Sequence, residues 1–121
     1  MRFSPRRAAE ALGTAPVGPA ELLDIELNGV SFDSRSLRPD QLFVPIVGDR
    51  DGHEFVRAAI DRGARAYLTA RPPAELDLGD LVDHATAIRV DDTLRALLDL
   101  GRWGRVAWAA RVPGATVVGV T

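Results

Sequence analysis

A small α/β sandwich domain, a mixed sheet flanked by helices, is the fold this sequence predicts, and three observations point to it. Short β-branched and apolar runs alternate along the chain with segments of helical periodicity, in the order strand–helix–strand–strand–helix–strand. One run, Leu42-Phe43-Val44-Pro45-Ile46-Val47, is continuously apolar, as a strand covered on both faces would be. Glycine and proline clusters punctuate the boundaries between these segments. The 121 residues suffice for one domain with a real core.

The elements follow in order. Ser4 caps a first helix, Pro5 occupies its first position and Gly13 stops it. Residues 14–20, with two prolines, read as a loop. Ile25 to Phe32 reads as a strand or, around Asn28-Gly29, a hairpin. Residues 38–41 form a turn on Pro39, and the apolar strand 42–47 follows, with an edge or bulge expected at Pro45. A helix then starts with Asp51 as cap and Glu54 three residues later. It presents Phe55, Val56, Ala59 and Ile60 on one face and ends at Gly63. Residues 64–70 make a strand, 74–83 an acidic loop and 86–90 another strand. Asp91 caps a long helix from about 92 to 110, with Leu94, Leu97 and Leu98 as its apolar face and Gly101 and Gly104 weakening its middle. Of Trp103 and Trp108, five apart, one belongs in the core and the other over an interface. The run "GATVVGVT" predicts a terminal strand.

Composition narrows the function classes. Apolar residues at 46%, charged residues at 26% and a net charge of −2 describe an ordinary soluble domain, with no drive toward nucleic acid or an anionic membrane. Cysteine is absent, which excludes disulfides, thiolate metal sites and thiol catalysis and suits a cytoplasmic protein. No apolar stretch approaches the roughly 20 residues of a membrane span, and the basic start "MRFSPRR" has no apolar core behind it. No Gly-x-x-x-x-Gly-Lys-Ser/Thr phosphate loop, triad, paired-carboxylate site or metal cage is legible.

Two polar clusters flank the apolar strand. In the first, the Ser34 hydroxyl and strand-end backbone N–H groups can hydrogen-bond a uracil, ribose or phosphate, and Arg35 brings a planar fork of donors. Asp33 and Arg35 can equally pair with one another in an ordinary turn. In the second, Gly48, Asp49, Arg50, Asp51 and Gly52 run into a helix start, where Arg50 can reach an anion, or where Asp51 simply caps the helix. His53, in the first helical turn, reads as a solvent-side or capping residue and not as a base.

The stretch "FDSRSLRPDQLFVPIVGDRDGHEFVRAAIDRGARAYLT" resembles the amino-terminal domain of the Mur ligases, ATP-dependent amino-acid or peptide ligases of peptidoglycan synthesis. Their pattern there is Asp-Ser/Thr-Arg, then Pro-Gly-x-Leu-Phe-Val-Ala, a glycine turn, Asp-Gly-His/Arg and an apolar helix. "VDDTLRALLDLGRW" is similar to a later family helix, and "TVVGVT" to the strand that enters the family's ATP loop. Asp40 and Pro45 depart from the usual Gly and Ala, and the 48–52 loop is one residue shorter than in many members.

The resemblance spans about residues 3–121 and implies that 1–121 is one UDP-substrate-binding domain, with 116–121 leading into a central ATP-binding domain beyond this sequence. It places Ser34 and Phe32 at the uridine, Asp49 and Arg50 at uracil, ribose or pyrophosphate, and Arg35 as a structural partner beside them. It further implies a cytoplasmic enzyme acting on a UDP-N-acetylmuramoyl-peptide, most like the branch that adds D-alanyl-D-alanine. The diaminopimelate- or lysine-adding branch is the alternative, and a stand-alone docking module the alternative of another class. ATP and magnesium are expected in the central domain, with no catalytic residue, metal or cofactor in 1–121 and no nucleic-acid or membrane partner. Without the central and carboxyl-terminal domains of the same chain, the fragment is expected to be inactive and to self-associate through its last helix.

Overall fold

A computed structural model describes residues 2–46 and 52–111, the side chains through Trp103. Five strands form one mixed sheet in the order β2-β7-β6-β5-β4: β2 (Pro16–Val17), β4 (Val30–Ser31), β5 (Leu42–Phe43), β6 (Ala66–Thr69) and β7 (Thr86–Arg89). β4, β5, β6 and β7 are parallel to their neighbours, and β2 closes the far edge antiparallel to β7, with Pro16 opposite Ile88. A separate antiparallel pair joins β1 (Arg2–Phe3) to β3 (Leu27–Asn28).

The pleat sorts the core onto two faces. Leu42, Val44, Ala66, Leu68 and Ile88 pack with Phe3, Leu27 and the helices α1 (Pro5–Ala11) and α3 (Thr93–Arg111). Phe43, Tyr67 and Ala87 point the other way, against α2 (Val56–Asp61) and the 3₁₀ turns Pro73–Glu75 and Gly79–His84. The result is the predicted mixed sheet between helices.

Local chemistry accounts for the elements. The Ser4 hydroxyl accepts from the Arg7 N–H, Pro5 opens α1, and Gly13 follows it with φ +73°. Trp103 is half-buried on α3 and meets Phe3 edge-on at 6.2 Å, so it joins the core. The Trp108 side chain and the run 114–121 lie outside the described residues.

Several expectations change. The 25–32 segment is neither one strand nor a hairpin. Gly29, with φ +90°, turns the chain so that β3 and β4 join different sheets. Residues 14–20 are not all loop, because β2 and a 3₁₀ turn form there. Proline is tolerated in β2 because that strand is an edge. β5 ends at Phe43, so Pro45 lies past a central strand and needs no bulge within it. The cap of α3 is Asp92, whose Oδ1 accepts from the Arg95 N–H, and not Asp91. The buried face of α3 is Thr93, Ala96 and Leu100, which leaves Leu94 and Leu98 exposed.

Candidate functional site

The first polar cluster sits where the edge strand β4 ends. Ser31 Oγ accepts from the Asp33 N–H at 3.2 Å and donates to the Asp33 carbonyl at 3.1 Å, which bends the chain off the strand. Asp33 Oδ1 then accepts from the Arg35 N–H at 2.9 Å. The Arg35 guanidinium returns to the same carboxylate, Nε to Oδ1 at 3.2 Å and Nη2 to Oδ2 at 3.3 Å. These bonds, the side-chain ones foremost, hold the Asp33 carboxyl below the usual carboxylate range. Arg35 is therefore engaged within its own turn.

That turn is braced from across the sheet face, where Arg62 Nη1 donates to the Arg35 carbonyl at 2.9 Å. Between Asp33 and Arg35, Ser34 is only 8% exposed, and no hydrogen bond joins its hydroxyl to another described residue. Phe32, by contrast, is 68% exposed.

Together these residues form one wall of a groove of about 670 Å³. The opposite wall is helical: Phe55, Ala58 and Arg62 recur at i, i+3 and i+7 and share one side of α2 and the turn before it. The alanine keeps the middle of this wall low between an aromatic ring and a cation. Phe32 and Asp33 also border a smaller hollow of about 450 Å³ with Arg38 and Gln41, so the Phe32 ring divides the two spaces. A further hollow of about 530 Å³ lies between the carboxyl end of β7 and the start of α3. It sets Arg89 and Arg95 against Asp91, Asp92 and Asp99, a poor balance for an anion. The Phe32 groove sets two arginines against one carboxylate and adds two aromatic rings, which suits a ligand with both a flat apolar part and negative charge.

The second polar cluster leaves and re-enters the fold at one point. The Gly52 N–H donates to the Ile46 carbonyl at 2.9 Å, and a Cβ at Gly52 would stand 2.6 Å from Ile46 N and 2.7 Å from Ile46 O. Only glycine permits that approach. Asp49 and Arg50, with the Asp51 cap, lie outside the described residues.

Just beyond, His53 corrects the expectation of a solvent-side residue. It is 4% exposed, and its Nε2 accepts from the Ala70 N–H at 2.9 Å. Burial lowers its pKa. The ring ties the start of the helix to the end of β6, and because an acceptor nitrogen needs neutral imidazole, this is a structural role.

The structure thus brings Phe32, Ser34 and Arg35 to one groove. Sequence reasoning missed Phe55 and Arg62 there: Phe55 was read only as core, and nothing along the chain ties residue 62 to residue 35. The i, i+3, i+7 spacing was the available signal. Among the described residues, no group of three or more His, Asp or Glu side chains could hold a metal. No helix among the described residues is long and apolar enough to cross a membrane. All fifteen basic residues are arginine, so the chain offers no lysine for a nucleotide-triphosphate loop. The described residues do not fit ATP and magnesium.

No family model matches the chain. It is 40% identical over 100 residues to the UDP-N-acetylmuramoyl-tripeptide–D-alanyl-D-alanine ligase of Bacillus subtilis, covering 78% of this chain and 19% of that protein. Against the ligase of the same name from Treponema pallidum it is 39% identical over 102 residues, covering 78% and 20%. The UDP-N-acetylmuramoyl-L-alanyl-D-glutamate–2,6-diaminopimelate ligase of Syntrophomonas wolfei is 39% identical over 97 residues, covering 78% and 19%. Among solved structures, a MurF from Acinetobacter baumannii superposes with a TM-score of 0.73 at 23% identity over 90% of this chain and 22% of its own, which speaks to the fold. The chain spans about a fifth of the length of these relatives.

Proposed function

This chain is homologous to the Mur ligases over most of its length, and we propose that it is the amino-terminal domain of such a ligase, binding the UDP end of a UDP-N-acetylmuramoyl-peptide. The observation that carries this reading is the Ser34 hydroxyl, which has no partner among the described residues, on an otherwise mostly buried residue next to the exposed Phe32, at the carboxyl end of a parallel strand. Ligands of open α/β sheets gather at such strand ends. A hydroxyl with no protein partner is available to donate to or accept from a polar atom of a ligand. The Phe32 ring supplies an apolar face for a base, and Arg35, fixed on Asp33, holds the turn in shape.

In the whole protein, UDP-N-acetylmuramoyl-tripeptide would be joined to D-alanyl-D-alanine at the expense of ATP, in the cytoplasm. The ATP and magnesium sites would lie in the four-fifths of the relatives that this chain does not cover. The isolated chain would therefore bind nucleotide without turnover. Asp49 and Arg50 would add contacts to uracil, ribose or pyrophosphate from the loop between Ile46 and Gly52.

Titration calorimetry or amide chemical-shift mapping with UDP tests the proposal. Weak binding is expected, with shifts centred on residues 32–35. No heat and no shift at millimolar UDP would overturn it. The diaminopimelate ligase of S. wolfei is about as similar to this chain as the D-alanyl-D-alanine ligases, because a domain that reads the shared UDP end does not distinguish the branches. Assay of the full-length enzyme with D-alanyl-D-alanine against diaminopimelate or lysine separates them.

A further inference from the structure

We infer that Arg62, not Arg35, is the residue that meets the phosphate-bearing part of the nucleotide, with Phe55 as a second apolar wall for the base; this rests on the nucleotide reading above. Both arginines line the groove, but their guanidinium groups are in different states. Arg35 places two nitrogens on the Asp33 carboxylate, so its charge is balanced and one edge of its fork is occupied. Arg62 directs one nitrogen to the Arg35 carbonyl, and among the described residues no carboxylate stands within ion-pair distance of it. A guanidinium has five donors. One bond anchors the Arg62 guanidinium beside the groove and leaves its other donors for phosphate oxygens.

The helix spacing completes the argument. Phe55 lies two turns before Arg62 on the same face, with Ala58 between them as a low floor. At about 1.5 Å of rise per residue, Phe55 and Arg62 stand roughly 10 Å apart along the axis, a separation that suits a base at one end and phosphates at the other. Phe55 is half-buried and Arg62 exposed, the burial expected of an apolar wall and a solvent-side cation.

The test is titration of the 121-residue chain with uridine, UMP and UDP at fixed ionic strength. Wild type should bind UDP more tightly than uridine. Arg62→Ala should weaken UDP by about tenfold and leave uridine within about twofold, since the lost contact is a charge-assisted one. Arg62→Gln, which keeps a donor for the Arg35 carbonyl without the charge, should lose the same preference and so separates charge from folding. Arg35→Gln, which leaves the Asp33 to Arg35 N–H bond of the turn in place, should weaken uridine and UDP alike and so keep the UDP preference. An unchanged UDP preference in Arg62→Gln, or its loss only in Arg35→Gln, overturns this inference and leaves the nucleotide reading standing. If neither uridine nor UDP binds the wild-type chain, the nucleotide reading fails and the inference falls with it.

Discussion

Single side chains show three kinds of polar group in this domain. Ser34 is a mostly buried residue beside the groove whose hydroxyl has no partner among the described residues, which is why Ser34→Ala is expected to weaken UDP binding about five- to tenfold while thermal stability stays level. Tyr67 is also buried, but its hydroxyl is the one buried side-chain polar atom with no partner among the described residues, and burial pushes its pKa up to about 12. It lies in the core on the α2 side of the sheet rather than in the groove, so Tyr67→Phe should raise stability by about 1 kcal/mol, read as a Tm increase of a few degrees.

His53 is buried and well partnered. Its pKa is lowered in the fold, so below about 6.5 the unfolded chain binds the proton more readily than the folded one. Its contribution to stability is complete above that pH and is lost as pH falls through the folded pKa. Urea midpoints measured between pH 7.5 and 5 should decline for wild type and stay flatter in His53→Gln; parallel curves would refute the assignment.

At the scale of elements, close backbone contacts and caps set the boundaries. Gly52 closes the segment 47–51 at its base, and any Cβ there would collide with the Ile46 backbone. Gly52→Ala is therefore expected to cost about 2 kcal/mol or more and to disturb the start of the helix carrying Phe55, seen as a lower unfolding midpoint together with weaker UDP binding. Asp92→Ala removes the cap of α3 and should cost about 1 kcal/mol, whereas Asp91→Ala should not.

Periodicity made some elements legible and misled at others. The Ser4-Pro5 start of α1 was readable because a cap is a local interaction. The stripe Leu94, Leu97, Leu98 reads as a core face, yet of these only Leu97 packs against the core, beside buried Ala96 and Leu100, while Leu94 and Leu98 are exposed. Both stripes have helical spacing, and only the docking of α3 on the sheet chooses between them. The 25–32 segment failed for a related reason: a turn residue such as Gly29 shows where the chain bends but not which partner each half will find.

For the whole molecule, Leu94 and Leu98 lie exposed one turn apart on α3, and we propose that they are a surface for association. Sedimentation should show concentration-dependent self-association, abolished in Leu94→Glu/Leu98→Glu; a monomer at millimolar concentration would refute it. About four-fifths of each relative lies outside this chain's coverage.

The sequence alone determined the α/β class, the order of most helices and strands, the likeness to the Mur ligases and the first polar turn at residues 32–35. Those depend on local periodicity, turn chemistry and motif spacing, which are properties of neighbours along the chain. Only the tertiary structure decided that Arg35 turns back to Asp33, that His53 is buried against Ala70, and that Phe55 and Arg62 share a groove with Phe32 and Ser34. The groove joins a strand end to a helix some twenty to thirty residues later, and no local rule encodes which side chains such packing brings face to face.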